Sequence, residues 1–188
     1  MAVTSFMLPL GTEAPAFKLQ DVRTGRLVGL DDFTSRALLV MFICNHCPYV
    51  RHVQSGLVSL GKDYEDADID IVAISSNDAD QYPDDSPDAL AAKADELDYR
   101  FPVLYDESQQ VAKDYRAACT PDFFLFDGDR RLVYRGQFDS SRPNSDVPVT
   151  GEDLRAAIDA GLAGQSVTDE QRASMGCSIK WRPGNEPA

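Results

Sequence analysis

Apolar residues recur along this chain at two periods, and their succession lays out the elements. Residues 37–43 are apolar without interruption, as a strand covered on both faces should be. Val50, Val53, Leu57, Leu60 and Tyr64 then recur at helical spacing with polar residues between them, which predicts an amphipathic helix over 48–64. Residues 69–74 read as the next strand, so 37–74 form a βαβ unit whose crossover is expected to be right-handed. Ser86, Pro87 and Asp88 supply an N-cap with proline at the first helical position, and Leu90, Ala94 and Leu97 line one face of the helix that follows. A short strand over 102–105 and a short helix over 109–116 come next.

Two hairpins bracket this centre. Residues 14–33 alternate and turn as a β-hairpin near the N-terminus. Phe123 to Phe126 and Leu132 to Tyr134 flank Asp127-Gly128-Asp129 as a second. Thr150 to Asp153 resemble a capping box opening a helix through Ala163. Residues 165–188 are rich in turn formers and read as a C-terminal extension. The whole, 1–188, predicts one α/β domain: a central mixed β-sheet with helices on both faces.

Charge narrows the class. The net charge of −13 argues against nucleic acid and against anionic membrane surfaces as partners. No stretch approaches the roughly 18 apolar residues of a membrane span, and the first residues lack the basic and long apolar regions of a secretory signal. A cytoplasmic location is therefore expected. In that compartment paired cysteines are usually catalytic or metal-bound, because structural disulfides are rare there.

The candidate chemistry is Cys44-Asn45-His46-Cys47, at the junction of the buried strand and the amphipathic helix. A disulfide at that spacing closes a very small loop, so it stabilises little by chain entropy and is readily made and broken. Only the thiolate attacks a disulfide, and a helix N-terminus lowers a thiol pKa from about 8.5. Cys44 is expected to be the exposed nucleophile and Cys47 the more buried thiol that resolves the mixed disulfide. His46 lies between them, where an imidazolium would favour a Cys44 thiolate. The alternative is a metal site built on Cys44, Cys47 and His46. Zinc normally takes four ligands, and the remaining donors, His52, Cys119 and Cys177, stand at no recognisable spacing. The expectation is redox chemistry with no metal and no organic cofactor.

With the pair so placed, the chain resembles the thioredoxin superfamily, and within it the peroxiredoxin-like redoxins of the AhpC/TSA branch. The matching stretches are Ala14 to Phe17, Met41 to Val50, Thr120 to Asp127 and Gly176 to Gly184. The resemblance implies a thioredoxin-like fold and a thiol–disulfide oxidoreductase. Its partners would be a protein or low-molecular-weight disulfide substrate and a thioredoxin- or glutathione-type reductant. It also implies that Thr120-Pro121 is a cis-proline loop facing the cysteines, whose backbone pairs with an extended substrate segment.

The chain departs from its relatives at three places. Ile43 stands where thioredoxins have tryptophan, and Leu38 where they keep the buried aspartate that accepts the second cysteine's proton. Cys44 takes the place of the peroxiredoxin threonine, with Cys47 at the peroxidatic position. Pro121 or its neighbours replace the peroxiredoxin arginine. A thiol peroxidase with Cys47 as the peroxidatic sulfur is the second enzymatic reading.

The remaining candidates have plainer roles. Cys119, next to Thr120, is expected to be a small buried residue, with an auxiliary thiol as the alternative. Cys177 is expected to be a structural residue of the tail beside Trp181, with a folded-back resolving thiol as the alternative. His52 reads as solvated. Tyr49 and Phe42 could form an apolar apron for substrate or simply pack. The acidic run from Asp78 to Asp88 reads as a solvated loop and helix start, since it lacks calcium-loop spacing.

Overall fold

A computed structural model describes residues 2–187. Its strands are β1 (Ala2–Thr4), β2 (Lys18–Asp21), β3 (Leu27–Gly29), β4 (Ala37–Phe42), β5 (Ile69–Ser75), β6 (Val103–Tyr105), β7 (Cys119–Thr120), β8 (Asp122–Phe126), β9 (Leu132–Gly136) and β10 (Met175–Ser178). The helices are α1 (Pro48–Asp63), α2 (Pro87–Glu96), α3 (Gln110–Asp114) and α4 (Glu152–Leu162). Seven strands form a mixed sheet in the order β3-β2-β6-β5-β4-β8-β9. Within it β4, β5 and β6 are parallel and the other neighbours antiparallel.

The continuous apolar run occupies the interior of this sheet because both of its faces are covered. Leu39 and Met41 join the core beneath α1, α2 and α4, while Leu38, Val40 and Phe42 pack on the other face with Val111, Ala112 and Tyr115 around α3. Every residue of β4 is buried. The apolar stripe of α1 behaves as its spacing predicts: Val50, Val53, Leu57 and Leu60 are all buried, each worth about 1.5–3 kcal/mol. The N-terminal hairpin forms as β2 and β3. Ser86 caps α2 through the Ala89 N–H, with Pro87 at the first position.

Three features depart from the sequence pattern. The capping box at Thr150 does not form. Gly151 takes the cap position of α4 in the left-handed region (φ 70°), and the Asp139 carboxylate, at the other end of the preceding loop, accepts the N–H groups of Thr150 and Gly151 at 2.8 and 2.6 Å. Second, residues 2–4 form a strand. Third, the tail holds β10, which lies between β1 and β7 in a separate three-stranded antiparallel sheet.

These elements converge on one end of β4. The parallel pair β4–β5 sends the chain into α1 there, and β8 runs antiparallel beside it with Phe42 opposite Asp122. That register carries Pro121 and Thr120 past the end of β4, to where the cysteines stand.

Candidate active site

The loop from Cys44 to Cys47 is shaped by a carboxylate outside it. Asp85 is 0% exposed. It accepts the backbone N–H groups of Asn45 and His46 at 2.7 and 3.3 Å and the Asn77 side-chain amide at 2.8 Å. It also meets His46 Nδ1. A buried carboxylate is tolerable only with such company, and here the company is the loop's own backbone. Asn45 completes the clamp by donating its side-chain N–H groups to the carbonyls of Asp84 and Ala89 at 2.8 and 3.1 Å. The acidic run is therefore not simply a solvated loop, as its composition suggests. Asp78 and Asp85 are buried, and Asp85 fixes the conformation of the thiol loop.

Cys47 is the N-cap residue of α1, with its sulfur 3.1 Å from the Thr120 carbonyl oxygen. Cys44 Sγ lies 3.3 Å from Thr120 Oγ1. All the cysteines are unlinked. Their surroundings push the two thiols in opposite directions, Cys47 down and Cys44 up. Cys47 is held low by the hydrogen bond it receives from Cys44, against the cost of burial, and further by the Cys177 thiol and the Val50 and Cys177 N–H groups. Thr120 O can accept only from a protonated Cys47, so it opposes this; the several donors outweigh one carbonyl. Cys44 is pushed up by its hydrogen bond to Cys47, by burial and by the negative charge of Asp85, with only the Thr120 hydroxyl opposing.

Exposure also corrects the expectation. Cys44 is 3% exposed and Cys47 0%, so neither sulfur protrudes. They still differ in access. Cys44 lines a cleft of about 640 Å³ between α1 and α2, with Asn45, Arg51, Gln54, Lys93 and Tyr99, whereas Cys47 turns inward. Access belongs to the first thiol and the lowered pKa to the second.

His46 is not free to turn toward Cys44 alone. Its Nδ1 is taken by Asp85, and its ring stacks on Tyr82 with centroids 5.0 Å apart and planes at 15°. Ligand atoms of Cys44, His46 and Asp85 lie within 4.8 Å of one another. That set replaces the expected Cys47 with Asp85, whose oxygens are already engaged by four donors. The cluster reads as an organised thiol loop rather than a prepared cation cage.

Around the pair, the Thr120–Pro121 peptide is cis and faces both sulfurs as expected. One side of β7 is taken, because β10 pairs along Cys119–Thr120 with Cys177 opposite Thr120 and Ser178 opposite Cys119, and β7 ends the three-stranded sheet. Cys119 is 0% exposed and donates to the Pro121 carbonyl at 3.6 Å; burial and the nearby Asp122 push its pKa up. Cys177 packs in the cluster that holds Cys44 and Cys47, whereas Trp181 packs on the opposite core, so the two are not neighbours as expected. Phe42 is interior packing and Tyr49 is only partly buried. His52 is not simply solvated: its Nε2 lies 2.9 Å from Ser141 Oγ. Asp122 passed unnoticed in the sequence. Entirely buried beside Pro121, neither of its oxygens has a hydrogen-bond partner, and burial pushes its pKa up to about 8.

The AhpC/TSA family profile matches residues 10–135. The chain belongs to the AhpC/TSA family. It is similar to the thiol-disulfide oxidoreductase ResA of Bacillus thuringiensis subsp. konkukian and of Bacillus cereus, with 24% identity over 128 residues, 67% of this chain and 68% of either relative. Among solved structures, an uncharacterised conserved protein of Geobacillus kaustophilus is 57% identical with a TM-score of 0.96, covering 98% of each chain. A hypothetical protein of Sinorhizobium meliloti 1021 is 48% identical with a TM-score of 0.94, covering 96% of this chain and 99% of that one. A putative thiol:disulfide interchange protein DsbE of Chlorobium tepidum shares 22% identity and a TM-score of 0.65, over 83% of this chain and 99% of its own. The fold of this AhpC/TSA-family chain is thioredoxin-like.

Proposed function

We propose that this AhpC/TSA-family protein is a thiol–disulfide oxidoreductase that exchanges the Cys44–Cys47 dithiol and disulfide with protein or small thiols. The observation that carries this reading is a pair of thiols at the start of α1 that both meet Thr120 of the cis-proline loop, at 3.3 and 3.1 Å, with only Cys44 reached from a cleft. In the reducing direction Cys47 thiolate takes the proton of Cys44 as Cys44 Sγ attacks the substrate disulfide. One substrate sulfur leaves and a Cys44–substrate disulfide forms. Cys47 then loses its proton and attacks Cys44 Sγ, releasing the second substrate thiolate and leaving the Cys44–Cys47 disulfide. A thioredoxin- or glutathione-type reductant returns the two electrons. The cleft between α1 and α2 receives the substrate.

The test is disulfide trapping. Cys47→Ser protein recovered from cells should carry partners linked through Cys44, and the Cys44→Ser,Cys47→Ser double variant should carry none. Absence of any Cys44 adduct would count against the reading.

A second reading, thiol peroxidase, is favoured by the low pKa of Cys47 at the start of α1. Against it, Cys47 is sealed from solvent, and Arg51, the guanidinium at this loop, spends its Nε on the Asn45 carbonyl at 2.8 Å. Fast peroxide turnover that survives Cys44→Ser and vanishes in Cys47→Ser would decide for the peroxidase.

A further inference from the structure

Three thiols, not two, converge on Thr120. Cys44 meets its hydroxyl at 3.3 Å and Cys47 its carbonyl at 3.1 Å. Cys177 is its cross-strand partner in the β10–β7 pairing. Cys177 also packs against the cluster that holds Cys44 and Cys47.

This approach is built into the backbone. A Cβ on Gly176 would stand 2.0 Å from the Thr120 carbonyl oxygen, so only glycine lets β10 come this close. The strand is held from both sides: Ala2 pairs with Cys177 and Val3 with Gly176. The Ile179 N–H reaches the Ala118 carbonyl at 3.2 Å, and the Lys180 N–H reaches Asn77 Oδ1 at 2.8 Å. An extended segment of the chain's own tail thus lies along one side of Thr120, and it carries a cysteine. Of the four cysteines Cys177 alone is not buried.

We propose that Cys177 is a third redox thiol of the site, which takes over Cys47 from the Cys44–Cys47 disulfide and so separates the sulfur that meets substrate from the sulfur that meets reductant. The inference rests on the oxidoreductase reading for the formation of the first disulfide. In the step itself Cys177 thiolate attacks Cys47 Sγ. The Cys47–Cys177 bond forms and the Cys44–Cys47 bond breaks. Cys44 leaves as a thiolate and accepts the proton Cys177 gave up. No electrons enter or leave; the disulfide left when the substrate took two electrons moves from Cys44–Cys47 to Cys47–Cys177.

The electrostatics suit the order of events. In the dithiol state burial and the hydrogen bond to Cys47 push Cys177 up to about 11, while Lys180 opposes them. Forming the first disulfide removes the Cys47 anion and leaves Lys180. Cys177 therefore becomes easier to ionise when it is needed as a nucleophile. The resulting disulfide has its more accessible sulfur at Cys177, away from the cleft that Cys44 lines, so a reductant can work there while Cys44 is again a thiol.

The experiment uses the full chain, oxidised with one equivalent of oxidised glutathione, quenched in acid, alkylated and mapped by non-reducing peptide mass spectrometry. We expect a Cys47–Cys177 linkage in the wild type with Cys44 alkylated. In Cys177→Ser we expect loss of Cys44 alkylation, with only Cys44–Cys47 formed, while Cys119→Ala behaves as the wild type. A Cys44–Cys47 linkage as the sole intramolecular disulfide of the wild type overturns the third-thiol role and leaves the oxidoreductase reading standing. No Cys44–Cys47 linkage in Cys177→Ser overturns the oxidoreductase reading and, with it, this one. The wild-type map needs no variant to fold.

Discussion

Asp122 offers a perturbation whose size follows from its surroundings. It sits on β8 opposite Phe42, immediately after Pro121, fully buried and without a hydrogen-bond partner at either oxygen. The hydroxyls of Ser5 and Ser174 and the N–H groups of Ala118 and Phe123 lie around it and oppose the rise only in part, so its pKa climbs from 3.8 to about 8. The unfolded chain releases this proton near pH 4, and the folded chain holds it until near pH 8. Between those values the native state carries one more proton, so stability is full below the unfolded pKa and falls as pH rises, by about 1.4 kcal/mol per unit. From pH 5 to pH 7 the loss is about 3 kcal/mol. Asp122→Asn keeps the shape and carries no titrating proton, so its stability lacks this slope. Urea unfolding with excess reductant at pH 5, 6 and 7 gives both curves, and subtracting variant from wild type cancels the contributions of every other carboxylate. Parallel pH profiles would show that the Asp122 carboxyl ionises in the fold as it does in water, and the burial argument would be wrong.

The remaining predictions concern the loop and the tail. Asp85→Asn removes the charge that raises Cys44 while retaining an acceptor for the loop, so iodoacetamide should label Cys44 at pH 7 roughly ten times faster, as expected for about one pKa unit; an unchanged or slower rate counts against Asp85 as the cause. Asp85→Ala should in addition cost about 3 kcal/mol in denaturant unfolding, because the donors that met the carboxylate are left buried and unpaired. Gly176→Ala should cost about 3 kcal/mol by overpacking against the Thr120 carbonyl and should abolish any Cys47–Cys177 linkage in the disulfide map, whereas a midpoint equal to the wild type would mean that β10 does not press on Thr120.

The sequence shows the scaffold well and the site only in part, for a physical reason. β4, α1 and β5 are legible because each buries a face whose period can be read locally, and Ser86-Pro87 marks α2 because a cap acts over one turn. Interactions that shape the site join distant segments, and no local period records them. Nothing near Asp85 announces that its carboxylate will hold the Asn45 and His46 amides, and a run of acidic residues reads as solvent-facing by composition alone. Asp139 replaces the Thr150 capping box in the same way, from the far side of a loop. The strand at Met175–Ser178 is short and edged by turn formers, and it becomes a strand only because β1 and β7 offer it two partners. Cys44 and Cys47 could be named as a pair from spacing, but their division of labour could not. That division depends on the Asp85 charge beside one sulfur and on the Val50 and Cys177 donors beside the other.

That division answers the question raised by Leu38, which stands where a thioredoxin keeps a proton acceptor. Deep beneath the site, Asp122 is protonated through most of the neutral range and hydrogen-bonds to neither cysteine, so it is no substitute base at pH 7. Cys47 is better placed. Its pKa is the one pushed down, and that of Cys44 is pushed up, so the acceptor and the resolving thiol can be one atom. Once Cys44 has attacked, Cys47 holds the proton of Cys44 and must shed it before it can resolve the mixed disulfide. Its neighbours then differ from those of a two-cysteine site, because the Cys177 thiol and N–H still favour the anion. A chain lacking the buried acid therefore needs stronger donors around its second sulfur, and a tail strand pressed against Thr120 is what provides them here.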